Sequence, residues 1–100
     1  MERDAIETLY FKDEGWYSER IFKYRGYIVD ENYDKDDEGF FHHSCEVFLN
    51  NKFITQYNYD EADRILTHID NMAEGKESNE PHLDPFHNLE KILKRVGVKL

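Results

Sequence analysis

Glu46-Val47-Phe48-Leu49-Asn50-Asn51-Lys52-Phe53-Ile54 reads as two strand halves joined by a two-residue turn. Asparagine tolerates the left-handed backbone that a type I′ turn needs at both central positions. With that turn, Val47 stands opposite Ile54 on one face, and Phe48 stands opposite Phe53 on the other. Both faces of the sheet then carry apolar groups, and a single helix covers only one of them. The first strand extends back over residues 40–49, with Phe41, His43, Cys45, Val47 and Leu49 on a common face. The return strand runs over 52–57.

Upstream, residues 20–30 form a third apolar-rich run. As one strand it places Phe22, Tyr24 and Ile28 on one face and Ile21, Tyr27 and Val29 on the other, with Gly26 marking a bulge. Before it, Ile6, Leu9 and Tyr10 stand at helical spacing, which predicts a short helix over 3–12, while Tyr10-Phe11 equally suits the start of a strand. Downstream, Asn58 is a good N-cap and Glu61 three residues later completes a capping-box pattern. Ala62, Ile65, Leu66, Ile69 and Met72 then make the apolar stripe of a helix over 59–73, with Gly75 as terminator. Residues 74–83 are a polar linker. Asp84 and Pro85 offer a cap and a first-turn proline for a last helix over 85–96, whose stripe is Phe86, Leu89, Ile92, Leu93 and Val96. Its far end is basic (Lys91, Lys94, Arg95, Lys99). The expected fold is α+β: a three-stranded antiparallel meander packed with two or three helices, in one domain over 1–100.

One hundred residues suffice for a single modest core. Fifteen aromatic residues against a mean hydropathy of −0.88 mark a chain that folds despite its polarity. The net charge of −9 is uneven: residues 1–50 contribute −7 and residues 51–100 only −2. Such a chain repels nucleic acid and suits basic protein surfaces or cations. The single cysteine excludes an internal disulfide. No run approaches a membrane span and no signal pattern opens the chain, so it reads as cytoplasmic with no membrane partner.

The acids concentrate in Asp30-Glu31-Asn32-Tyr33-Asp34-Lys35-Asp36-Asp37-Glu38-Gly39, where six carboxylates surround one lysine. Read as a loop between strands, this run faces water, a cation or a basic partner. Asp30, Glu31, Asp34, Asp36, Asp37 and Glu38 are the candidate partner-binding residues, with Tyr33 as an aromatic anchor. The tyrosines near the start of the 59–73 helix add to the same surface if the two regions share an edge of the sheet.

Metal chemistry gives weaker patterns. Asp34-x-Asp36-x-Glu38-Gly39 begins like a calcium loop, but its twelfth position is Cys45 and strands flank it. His42, His43, Cys45, His82 and His87 are zinc donors by type, and His43 and Cys45 point the same way on their strand. No C-x-x-C or H-E-x-x-H frame joins them, so no metal or cofactor is expected. No nucleophile elbow or phosphate-cradling loop is present, and the chain is not expected to be an enzyme.

Tyr24-Arg-Gly-Tyr-Ile-Val29, Glu46-Val-Phe-Leu-Asn-Asn-Lys-Phe-Ile54 and Tyr59-Asp-Glu-Ala-Asp-Arg-Ile-Leu-Thr-His-Ile-Asp70 together resemble a pattern common in small proteins of phages and mobile elements. Small acidic proteins of this sort include anti-CRISPR proteins and other inhibitors of host defence. The resemblance implies a phage-type inhibitor, a partial DNA mimic, that blocks a basic nucleic-acid-binding surface of a host-defence nuclease complex. It transfers no functional residue, and the basic last helix departs from a whole-surface mimic. The alternative is a non-catalytic regulatory or structural subunit that forms a homodimer through the Phe48 and Phe53 face or through the last helix.

Overall fold

The Asn50-Asn51 turn has φ angles of 53° and 64°, the paired left-handed conformation of a type I′ hairpin. It joins β4 (Phe41–Leu49) to β5 (Lys52–Asn58) in a computed structural model that describes residues 5–82, 84 and 86–99. Phe48 lies opposite Phe53 as the turn requires, but Val47 then pairs with Thr55. Ile54 is the extra residue of a bulge, so the expected Val47–Ile54 pair is displaced by one position.

The sheet has five strands where three were expected, in the order β1-β2-β3-β4-β5, all antiparallel neighbours. The run over 20–30 is two strands, β2 (Tyr17–Tyr24) and β3 (Tyr27–Lys35), joined at Arg25-Gly26. Their φ angles of 52° and 85° make a second tight turn where a bulge was expected. This turn also changes the facing: Tyr24 pairs with Tyr27, so Phe22, Tyr24, Tyr27 and Val29 share one side while Ile21 and Ile28 share the other. The predicted helix over 3–12 is β1 (Glu7–Asp13) across its described part, paired to β2 along its length. Residues 3 and 4 of that prediction lie outside the described residues. The helical spacing of Ile6, Leu9 and Tyr10 is overridden because β2 needs a partner on its open side, and a bulge between Thr8 and Tyr10 turns Tyr10 inward.

The acidic run is mostly strand. β3 is the central strand and continues to Lys35, because β2 and β4 both pair with it: Tyr17 meets Asp34, and Phe41 meets Lys35. Only residues 36–40 form the loop.

Each face has its own cover. On one, α1 (Asp60–Asp63) and α2 (Ile65–Ala73) place Ala62, Ile65, Ile69 and Met72 over Phe22, Val29, Val47 and Ile54. On the other, α3 (Leu89–Val96) places Leu89 and Leu93 over Ile21, Ile28 and Phe48. The expected single helix over 59–73 is interrupted at Arg64, and its predicted cap does not form. Asn58 stays in the ladder opposite Ser44, and Tyr59 begins the helix with φ 57° and no side-chain cap. The last helix starts later than residue 85: Asn88 is its cap, accepting from the Lys91 N–H at 3.1 Å, while Asp84 accepts from the Phe86 N–H instead. Pro85 lies outside the described residues. Gly97 in the left-handed region closes α3, with the Val98 N–H reaching the Leu93 carbonyl.

The 74–82 segment is pinned as it passes from one face to the other. Asn79 donates to the Tyr27 hydroxyl at 3.0 Å, and the His82 N–H bonds the Phe53 carbonyl on β5. No helix among the described residues is long and apolar enough to cross a membrane.

Candidate functional sites

A meander returns to the same end of the sheet at every second turn. The β1–β2 turn, the β3–β4 loop and the β5–α1 junction therefore lie together, as the sequence reading required for a shared edge. The Lys35 N–H donates to the Trp16 carbonyl at 2.9 Å, and Tyr59 N–H donates to the His43 carbonyl at 2.8 Å. The ring of Tyr59 also meets His42 edge-on at 5.9 Å. Exposed at this end are the aromatics Trp16, Phe40, Phe41 and Tyr59 and the carboxylates Asp34, Asp37, Glu38, Asp60 and Glu61.

Asp36 is structural within this group. Its Oδ1 accepts the N–H groups of Glu38 and Phe40 at 3.0 and 2.9 Å, and its Oδ2 bonds His42 at 2.9 Å. Those hydrogen bonds, led by that to His42, hold its carboxyl below the ordinary carboxylate range.

Two of the expected partner-binding acids are elsewhere. Asp30 and Glu31 are buried, on opposite faces of β3. Phe48 is fully buried and Phe53 half-buried, with Phe53 stacked on His87 at 4.2 Å beneath the α3 side. The aromatic face proposed for self-association is therefore interior: α3 spends Leu89, Ile92, Leu93 and Val96 on it, while Phe86, expected in the same stripe, precedes the helix and stands exposed. The reason is common to all four: two strands beyond the expected three, and a helix on each face, enclose what a bare three-stranded sheet leaves open.

Under α3, Asp30 joins Glu19 and Glu46 in a row across β2, β3 and β4. Arg95 from α3 clasps Glu19 with two hydrogen bonds of 3.1 and 2.7 Å, across 76 positions of sequence. Its guanidinium lies 4.0 Å from Asp30. Burial opposes charge on Glu19, yet the Arg95 clasp holds its carboxyl below the ordinary value. Asp30 goes the other way: burial, reinforced by the hydrogen bond and charge of Glu19, pushes it up to about 8. Burial raises Glu46 as well. Arg95 thus serves Glu19 and Asp30, and Asp30 stays buried by keeping a proton.

Under α1 the environment differs. Glu31 Oε1 accepts from Arg20 at 3.0–3.1 Å, and its Oε2 stands 2.9 Å from His43 Nε2. His43 Nδ1 meets Asp63 Oδ1 at 2.6 Å, and Tyr33 stacks on the imidazole at 4.0 Å. Cys45 Sγ lies 3.7 Å from the same Nε2 and 3.8 Å from the Ala62 carbonyl. Cys45, His43 and Asp63 have the order of a nucleophilic triad, but Cys45 is 0 % exposed. Burial, then the charge of Glu31, pushes its thiol up, so neither access nor thiolate character suits it to attack a substrate.

Of the five zinc-donor residues singled out in the sequence, the structure brings together only His43 and Cys45, and it adds Glu31. These are the three donors that converge within 4.8 Å among the described residues. His42 goes to Asp36, and His87 to Asp84 at 2.6 Å. Sequence reasoning found the His43 and Cys45 facing from strand alternation. It missed Glu31, Arg20 and Asp63, because the pairing of Glu31 with Cys45 needs the register of β3 on β4. No protein-family model, curated protein or solved structure matches the chain.

Proposed function

We propose that the chain is a small, non-catalytic protein-binding inhibitor that seats the acidic, aromatic end of its sheet on the basic surface of a nucleic-acid-handling protein. The observation that carries this is the gathering of Trp16, Phe40, Phe41 and Tyr59 with Asp34, Asp37, Glu38, Asp60 and Glu61 at one end. Rigid aromatic groups anchor interfaces, and surrounding carboxylates select Arg- and Lys-rich partners. A groove built for phosphate is basic by necessity, so such a surface competes with nucleic acid for it. In α3, Arg95 is engaged with Glu19, and Leu89 and Leu93 with the sheet. The resemblance to small phage proteins takes the reading one step further, to a host-defence nuclease complex as target in the anti-CRISPR manner.

The test uses the intact protein immobilised against a host lysate at low salt. The expected result is capture of a nucleic-acid-handling protein that elutes as salt rises and is displaced by duplex nucleic acid. The triple variant Asp34→Lys/Asp37→Lys/Glu38→Lys should lose the capture with its circular dichroism unchanged. Asp36 is left intact because it holds the loop. Full capture by the triple variant, or capture indifferent to salt, overturns the proposal.

A further inference from the structure

The cluster under α1 has no role in the partner surface, and its chemistry is of a different kind. Three unlike donors, a carboxylate oxygen, an imidazole nitrogen and a sulfur, converge on one point. Glu31 Oε2 and Cys45 Sγ stand 2.9 and 3.7 Å from His43 Nε2, and the three atoms lie within 4.8 Å of one another. A tetrahedral zinc ion, with bonds of roughly 2.0–2.3 Å, holds its ligand atoms roughly 3.3–3.6 Å apart, between these two distances. We propose that Glu31, His43 and Cys45 bind a single borderline-soft divalent transition ion of the zinc class.

The surroundings are arranged as such a site requires. Arg20 occupies Glu31 Oε1 and leaves Oε2 directed at His43. Asp63 takes His43 Nδ1 at 2.6 Å, which fixes the ring and directs Nε2 inward, the carboxylate–histidine arrangement of metal sites. Charge balances without help from water: a divalent ion, one thiolate, one carboxylate and a neutral imidazole sum to zero, and the outer Arg20 and Asp63 cancel. Binding requires Cys45 as thiolate and so releases its thiol proton to solvent. A thiolate in the set selects against calcium and magnesium. Three protein ligands leave the fourth position of the tetrahedron to water.

The route in is short. Asp63 has a 62 % exposed side chain, and it sits with Ala62 on the one-turn α1 that covers the sulfur. That turn begins at Tyr59, a non-glycine residue held at φ 57°, ψ −129°. Backbone in this region is rare for non-glycine residues and is found where the surrounding structure constrains the chain. Here it sets Asp63 on the imidazole.

The experiment titrates the full chain, stripped with a chelator, with Co(II) and then Zn(II). One equivalent of Co(II) should give a thiolate-to-cobalt charge-transfer band and the intense visible bands of a tetrahedral ion, and one equivalent of Zn(II) should bleach them. Ca(II) should leave the thermal midpoint unmoved while Zn(II) raises it. Cys45→Ser should abolish the charge-transfer band. Asp63→Asn, at an exposed position that the fold tolerates, should weaken Zn(II) by roughly 10- to 100-fold. Absence of the thiolate band in the wild type overturns the site, as does an Asp63→Asn protein that binds Zn(II) as tightly as the wild type.

Discussion

Asp30-Glu31-Asn32-Tyr33 and Asp34-Lys35-Asp36-Asp37-Glu38 are one acidic run in sequence and two environments in the structure. The first half lies in the central strand with its carboxylates buried. The second half starts at the exposed end of β3, leaves the sheet after Lys35, and holds its carboxylates in water, apart from the loop-forming Asp36. Charge density does not separate them. What does is the backbone: β2 and β4 flank β3 on both sides, and strand alternation sends successive side chains to opposite faces. A carboxylate carried inward survives only with a cation or a proton, and the partners come from far away in sequence. Arg20 and His43 serve Glu31, whereas Arg95 serves Glu19 and leaves Asp30 to keep its proton.

The largest effect should come from removing the cation of the α3 side. Arg95→Ala leaves Glu19, 2 % exposed, with a buried charge and no clasp. Stranding a buried charge costs about 3–5 kcal/mol, and the half-exposed guanidinium puts the expected loss near the lower end, since water replaces part of it. Urea unfolding of the variant, with the midpoint shifted and the slope retained, measures it. A loss no greater than that of a surface substitution would mean that the two halves of the run do not differ in the way described.

Asp30→Asn sharpens the comparison by pH. In the folded chain Asp30 holds its proton to about 8, whereas in the unfolded chain it ionises near the ordinary 3.8. Between these values the native state binds the extra proton, so this group's contribution to stability falls as pH rises from about 4 to about 8. The asparagine keeps the shape and has no proton to lose. Its stability relative to the wild type should therefore climb through that window, by on the order of 2 kcal/mol between pH 5 and pH 8 once sharing with Glu19 is allowed for. A pH-independent difference would place the proton elsewhere.

This contrast explains what could be read in the sequence. The Asn50-Asn51 hairpin and the stripe of Ile65, Ile69 and Met72 were legible, because turn chemistry and helical periodicity are local. The Arg25-Gly26 turn was not, since arginine at the first left-handed position carries no turn signal and a lone glycine also reads as a bulge. Missing it reversed the facing of Tyr27, Ile28 and Val29 relative to Phe22 and Tyr24. The 59–73 helix kept its stripe but lost its cap, because Asn58 is claimed by the β5 ladder. The sites depended on register. His43 and Cys45 share a face by alternation alone, but Glu31 joins them only through its pairing across to Cys45, and Asp63 only because the chain turns sharply at Tyr59.

In the exposed half, Asp36 is the exception that marks the boundary. Asp36→Ala removes the acceptor for two loop N–H groups and for His42. The expected result is a lower urea midpoint, a smaller shift than for either buried change, with the sheet intact by circular dichroism.

Its neighbours should show the smallest effect of all. Asp37 and Glu38 are exposed, and Glu38 contributes only its backbone N–H to the loop. Asp37→Asn and Glu38→Gln should change stability by no more than about 0.5 kcal/mol, as surface substitutions away from caps and cores do. The sign should favour the variants slightly, because each removes one charge from a chain at −9 whose loop repels itself. That gain should shrink as salt rises and the Debye length falls to roughly 3 Å at 1 M. Carboxylates that cost stability at this end and satisfy no group among the described residues are what a surface kept for a basic partner requires. Parallel titrations of the double variant in low and high salt measure the gain. A destabilised double variant would show that these acids hold the fold, and would take them out of the partner surface.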